Sequence, residues 1–206
     1  MDEVVYYRPS ALPPPDRKEI LRYAGAKGET RESAALLDEC LKEAEKSISF
    51  GACYRFFSIE EKRDCLSLGF AETKSATARR ALLGCDSLLV FAATLGNGID
   101  RLLARHSRLS PARALLLQAI GAERVEALCD CFLAEIGEKI KKEGAIFCPR
   151  FSPGYGDLPL ALQMDIFAAL DCTGRLGLTL NESLLMAPSK SVTAIVGIKK
   201  GRDDEP

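Results

Sequence analysis

The sequence predicts an α+β protein: a small, mostly antiparallel sheet packed against several helices. Three observations carry that expectation. One amphipathic pattern runs unbroken over about 111–143, far longer than an average helix. The apolar run Leu88-Leu-Val-Phe-Ala-Ala-Thr94 has the length and composition of a buried central strand. The other helical and strand-like runs intermix without the regular strand–helix alternation of a parallel sheet.

Taken in order, residues 1–15 end in Leu12-Pro-Pro-Pro15 and read as an extended arm rather than a folded element. A short helix over about 16–23 follows, closed by Gly25 and Gly28. Thr30 caps a second helix at about 31–48, with Glu32 placed to suit the helix dipole. Ser33 stands where a capping box normally has Glu or Gln. Two β-rich runs, 53–59 and 65–70, flank Glu60-Glu-Lys-Arg-Asp64 and suggest a hairpin. Ser75 caps a helix at about 76–84, just before the central strand.

Leu95-Gly-Asn-Gly98 then turns the chain into a helix of about 98–107. Its Gly-x-Gly could present amides to an anion, but without a third glycine close packing is the better explanation. Asp100 suits that helix's first turn, and His106 reads as a solvated residue near its end. Ser110-Pro111 opens the long helix and Gly144 ends it, with Lys139, Lys141 and Lys142 complementing the dipole. Leu117, Gly121, Val125, Leu128, Phe132, Ile136 and Ile140 form its buried stripe, and Glu126 and Asp130 lie beside it. A further helix carries Ile166, Phe167 and Leu170 to about Asp171, and the last strand spans 192–198 before a charged tail, 200–206. The whole chain, 1–206, reads as one domain.

A net charge of −1 gives no footprint for nucleic acid or an anionic membrane. No apolar run approaches the roughly 20 residues that span a bilayer, and the N-terminus lacks a signal-peptide profile, so a cytoplasmic location is expected. The eight cysteines follow apolar patterns, which predicts mostly buried, reduced thiols. Their spacing offers no zinc site.

The stretch Cys148-Pro-Arg-Phe-Ser-Pro-Gly-Tyr-Gly-Asp-Leu-Pro159 stands apart. Three prolines make it rigid and extended, while Gly154 and Gly156 permit sharp turns or close approach to a ligand. Arg150 is its one cation, a planar fork suited to a carboxylate or phosphate, and Tyr155 adds an aromatic face. A stiff inter-helix connection with a surface arginine is the alternative. Because the long helix leads into this loop, Glu126 and Asp130 are placed to meet whatever Arg150 binds.

Three blocks in register, Arg150-Phe-Ser-Pro-Gly-Tyr155, Leu178-Thr-Leu-Asn-Glu-Ser183 and Ala187-Pro-Ser-Lys-Ser-Val192, resemble the activation domain of cobalamin-dependent methionine synthase, in its short stand-alone form. The resemblance implies a methyltransferase component that binds S-adenosylmethionine and supports reductive remethylation of cob(II)alamin. Arg150 would grip the ligand carboxylate, with Ser152, Gly154 and Tyr155 completing the motif and Glu126 facing the ammonium. The family's ligand-contacting tyrosine of the last strand falls at about Val196 here. With no corrinoid module in this chain, cobalamin would come from a partner, either a cobalamin-binding protein or the other modules of a split methionine synthase. An external electron donor would complete the system. A docking module that caps a corrinoid protein without using the methyl donor is the other reading.

Overall fold

The computed structural model of the chain describes residues 3–200; the tail assigned to 200–206 lies outside them from residue 201 on. In chain order the elements are β1 (Val5–Tyr7), α1 (Arg17–Tyr23), α2 (Arg31–Glu45), β2 (Gly51–Ser58), β3 (Glu60–Glu61), β4 (Leu66–Ser67), β5 (Glu72–Thr73), α3 (Ala76–Ala81) and β6 (Ser87–Thr94). Then come α4 (Gly98–Leu109), α5 (Pro111–Lys142), β7 (Ala145–Phe147), α6 (Leu162–Leu170), α7 (Cys172–Leu176), β8 (Thr179–Leu180), β9 (Met186–Ala187) and β10 (Ser191–Lys200). The five-stranded main sheet is ordered β1-β2-β6-β10-β7, and each pairing in it is antiparallel. The α+β expectation holds, and β6 is the central strand.

Both faces of β6 are covered, which explains why its sequence is a continuous apolar run rather than an alternation. Leu88, Val90 and Ala92 point to a layer that includes Ile166, Leu170 and Cys172 of α6 and α7. Leu89, Phe91 and Ala93 point the other way, onto Val125, Leu128 and Phe132 of α5. The N-terminal part of α5 serves a third cluster, where Leu116, Leu117 and Ile120 meet Ile20, Leu37 and Ile99 from α1, α2 and α4. Every residue of the stripe assigned to α5 is buried.

Several expectations change. From residue 3 on, the segment expected as an extended arm is not free: Val5–Tyr7 pairs with Tyr54, Cys53 and Ala52 as the edge strand. Buried Arg124, held by neighbouring Glu123, donates to the carbonyls of Pro13 (2.6 Å) and Pro14 (3.3 Å). Proline leaves its carbonyl free to accept, and a guanidinium with five donors suits a run of them. The hairpin is also drawn differently. β2 pairs with β1 and β6, while the second β-rich run pairs, through Leu66–Ser67, with Glu60–Glu61 at the start of the charged run. Ser33 completes the capping box itself, its hydroxyl accepting from Thr30 N–H (2.8 Å) while Thr30 accepts from Ser33 N–H (3.2 Å). α2 ends at Glu45, short of 48, and α7 follows α6 where no helix was expected. His106 is not solvated; its ring lies 3.2 Å from Glu43. The Gly-x-Gly answers to packing, since a Cβ on Gly98 would overlap the Ser47 carbonyl.

Phe132 is the centre of the α5–sheet contact, its ring 4.9 Å from Phe91, 5.1 Å from Tyr7 and 5.3 Å from Tyr54. Phe132→Ala leaves a cavity among three rings and is expected to destabilise the protein by about 4 kcal/mol. The shift of the urea-unfolding midpoint measures it, and a loss well under about 1 kcal/mol would show that α5 does not anchor the sheet.

Candidate functional site

The 148–159 segment is extended because it pairs with β10, as a ragged continuation of β7. Cys148 N–H donates to Gly197 O (2.8 Å), and Phe151 and Ile195 exchange both backbone bonds (3.0 and 2.8 Å). The Ser152 hydroxyl donates to Thr193 O (2.7 Å). The chain then reverses through Gly154 (φ 88°) and Gly156 (φ 60°), both in the left-handed region that favours glycine. Gly154 N–H closes the turn on Leu158 O (2.9 Å), and the Leu158 side chain is buried.

Asp157 fastens the far end of the loop. Its carboxylate accepts from Ser75 Oγ (2.6 Å), Ala76 N–H (2.7 Å) and Thr77 N–H (2.9 Å), at the N-terminus of α3. These bonds, the Ser75 hydroxyl first among them, hold the Asp157 carboxyl well below the usual carboxylate range. Nothing local in the sequence marks Asp157, because its partners lie about 80 positions upstream. Arg124 had a signal that went unused: it is a charge three residues after Gly121 and four before Leu128, inside the apolar stripe.

Arg150 projects from this pinned backbone towards α5. Its Nη2 donates to Glu126 Oε2 (2.5 Å) and Asp130 Oδ1 (3.1 Å). Glu126 and Asp130, expected to meet a ligand of Arg150, thus bind Arg150 itself. Arg150 Nη1 is buried and has no partner among the described residues. Burial opposes the guanidinium charge, but Cys129, Glu126 and Asp130 more than offset it and raise its affinity for the proton. Burial pushes the adjoining Cys129 thiol up to about 12, so it stays neutral.

Glu126, Arg150, Ser152, Tyr155 and Val192 line an open cleft of about 410 Å³. The structure therefore brings together four of the five candidate residues, Gly154 shaping the turn beside them. Tyr155 is 63% exposed. The wall from β10 is Val192, not Val196: residues 192, 194 and 196 share a face, and Val196 is buried against α5. A second cleft, about 480 Å³, lies on the other side of Glu126 and Asp130 and is walled by Pro13, Pro14 and Tyr23.

The sequence matches no family model and no curated protein. Among solved structures, the crystal structure of the MetH reactivation domain bound to AdoHcy is similar, with a TM-score of 0.64 at 15% identity. The likeness covers 99% of this chain and 80% of that one. This chain has the fold of that reactivation domain. Among the described residues, no helix is long and apolar enough to cross a membrane.

The Asp157 anchor makes a pH prediction. A carboxyl whose folded-state pKa lies below its ordinary 3.8 stabilises the fold above that value and loses the contribution as the pH falls below it. Asp157→Asn should therefore lower the thermal midpoint at pH 7, and the gap from wild type should shrink below pH 3.8. A gap that is independent of pH would show that the carboxylate charge plays no part.

Proposed function

We propose that the chain binds S-adenosylmethionine, or its demethylated product, at the Arg150 cleft. On this reading it is a stand-alone activation subunit that supports reductive remethylation of the cob(II)alamin of a corrinoid methyltransferase, foremost a split cobalamin-dependent methionine synthase. The observation that carries the reading is the cluster of Arg150 with Glu126 and Asp130 at the mouth of an open cleft. The fold it shares with a reactivation domain bound to AdoHcy supports it.

The residues fit such a ligand. A zwitterionic amino-acid end needs one fixed cation and one fixed anion, and charge-assisted bonds are about twice as strong as neutral ones. Arg150 Nη1 is a buried donor that lacks an acceptor among the described residues, and a ligand carboxylate would supply one. Glu126 uses only Oε2 on Arg150, which leaves its other oxygen for an ammonium. The Ser152 hydroxyl donates to Thr193 O, so it faces the ligand only as an acceptor, beside the turn at Gly154. Tyr155 offers an exposed ring for a planar heterocycle.

Bound S-adenosylmethionine supplies a sulfonium methyl, for which this chain needs neither base nor nucleophile. Its residues grip the amino-acid end and orient the ligand. The corrinoid and an external electron donor come from partner proteins. Tyr155, Leu160, Met164 and Leu185 are exposed apolar residues on or near the loop and form the surface for that partner. Two features favour a docking module that has given up the methyl donor: Arg150 is already neutralised by two carboxylates, and the family's ligand-contacting tyrosine falls at Val196, which is buried away from the cleft.

Calorimetry with S-adenosylmethionine is expected to show saturable binding that Arg150→Ala weakens by about 2–5 kcal/mol and Glu126→Gln weakens less. Absence of heat at millimolar ligand would overturn the methyl-donor reading. Mixing the chain with a cob(II)alamin-loaded partner, S-adenosylmethionine and a one-electron reductant should produce the methylcobalamin spectrum, more slowly with Arg150→Ala. Equal conversion without the chain would overturn the activation role, and a complex without methyl transfer would favour the docking module.

A further inference from the structure

Two thiols meet at the root of the Arg150 loop. Cys85 lies in the turn between α3 and β6, and Cys148 is the first residue of the 148–159 segment. They are 63 positions apart in sequence, yet their sulfur atoms lie 3.6 Å apart, and both residues are half-buried. The strand beside them makes room for this. A Cβ on Gly197 of β10 would come within 2.6 Å of Cys85 Sγ and 3.5 Å of Cys148 Cβ. A side chain at 197 would push the sulfurs apart, whereas glycine lets them touch. Cys53 and Cys172 also adjoin each other, but both are fully buried and closed to a soluble reagent.

We infer that Cys85 and Cys148 are a redox pair, closed to an intramolecular disulfide by a small disulfide oxidant. A disulfide bond of about 2.05 Å requires the sulfurs to close by roughly 1.5 Å, a shift that small side-chain rotations supply. In the first step the thiolate of one cysteine attacks the oxidant's sulfur–sulfur bond, forms a mixed disulfide and releases one thiol. The sulfur of the other cysteine then gives up its proton and displaces the second thiol. Two protein thiols are oxidised to one disulfide, and the oxidant is reduced to two thiols that carry away the two protons. Burial and the hydrogen bond with Cys148 push the Cys85 thiol up to about 12, so the pair rests as two neutral thiols until an oxidant reaches it.

The bond would act on the loop. Asp157 already ties one end of the 148–159 segment to the N-terminus of α3, and the disulfide would tie the other end to the turn that follows α3. Arg150 sits two residues from the cross-link, so the oxidised form holds its backbone between two fixed points. The pair is independent of the ligand reading, since the geometry needs no occupant in the cleft.

Incubating the full chain with oxidised glutathione, alkylating and digesting it tests the pair. The thiol count should fall by two from eight, with a single peptide cross-link joining Cys85 to Cys148. A reductant should reverse the loss, and the oxidised form should melt at a higher temperature because the cross-link constrains a long stretch of the unfolded chain. Cys85→Ser and Cys148→Ser should each abolish the cross-link, leaving at most a glutathione adduct on the partner cysteine that remains. Eight thiols remaining, adducts without a cross-link in the wild type, or a cross-link between Cys53 and Cys172 would each overturn the assignment.

Discussion

The burial of α5 is the constraint on which the other elements depend. A helix of 32 residues is about 48 Å long, more than either the sheet or the small helical cluster needs by itself. Its first half completes a core with α1, α2 and α4, and its second half covers the sheet through Phe132 and its neighbours. Because one rigid rod serves both cores, loss of packing in either is felt along its length. The same rod fixes where its exposed edge runs. Glu126 and Asp130 lie on that edge, one turn apart, and have no freedom to be elsewhere.

The cleft follows from a second rigid body meeting the first. The 148–159 segment is held to β10 by backbone bonds and to α3 by Asp157, so the position of Arg150 is set before any ligand arrives. Preorganisation of this kind reduces the ordering that binding would otherwise require. The electrostatics are unusual for an anion grip. Two carboxylates share the Nη2 group, while Nη1 is buried and has no partner among the described residues. An acceptor on any occupant would satisfy Nη1, and a cation would meet the surplus negative charge of the carboxylates. A zwitterion does both, whereas a simple phosphate would meet Glu126 and Asp130 with its charge unbalanced.

The elements that could be recognised in the sequence share a physical property: their signals are local. The period of α5, the apolar run of β6, the caps at Thr30 and Ser75 and the stiff composition around Arg150 each lie within a few residues of the structure they specify. Glu126 and Arg150 could be singled out for the same reason, one as a charge at the edge of a stripe and the other as the only cation in a proline-rich loop. The false hairpin shows where local signals fail. The run 53–59 has the composition of a strand, but its partners were β1 and β6, and composition does not name a partner.

What the sequence determined by itself was therefore the class of fold, the long helix, the buried strand and the chemical identity of the Arg150 loop, since these rest on periodicity and on the backbone preferences of single residues. Only the tertiary structure decided what those residues touch. Arg124 reaching Pro13, Asp157 capping a helix about 80 positions away, Cys85 meeting Cys148 over Gly197, and Val192 rather than Val196 facing the cleft all depend on strand order and register. Such contacts join segments that sequence spacing keeps apart, and a shift of one residue in register would exchange the two faces of β10. Their positions exist only once both faces of the sheet are covered.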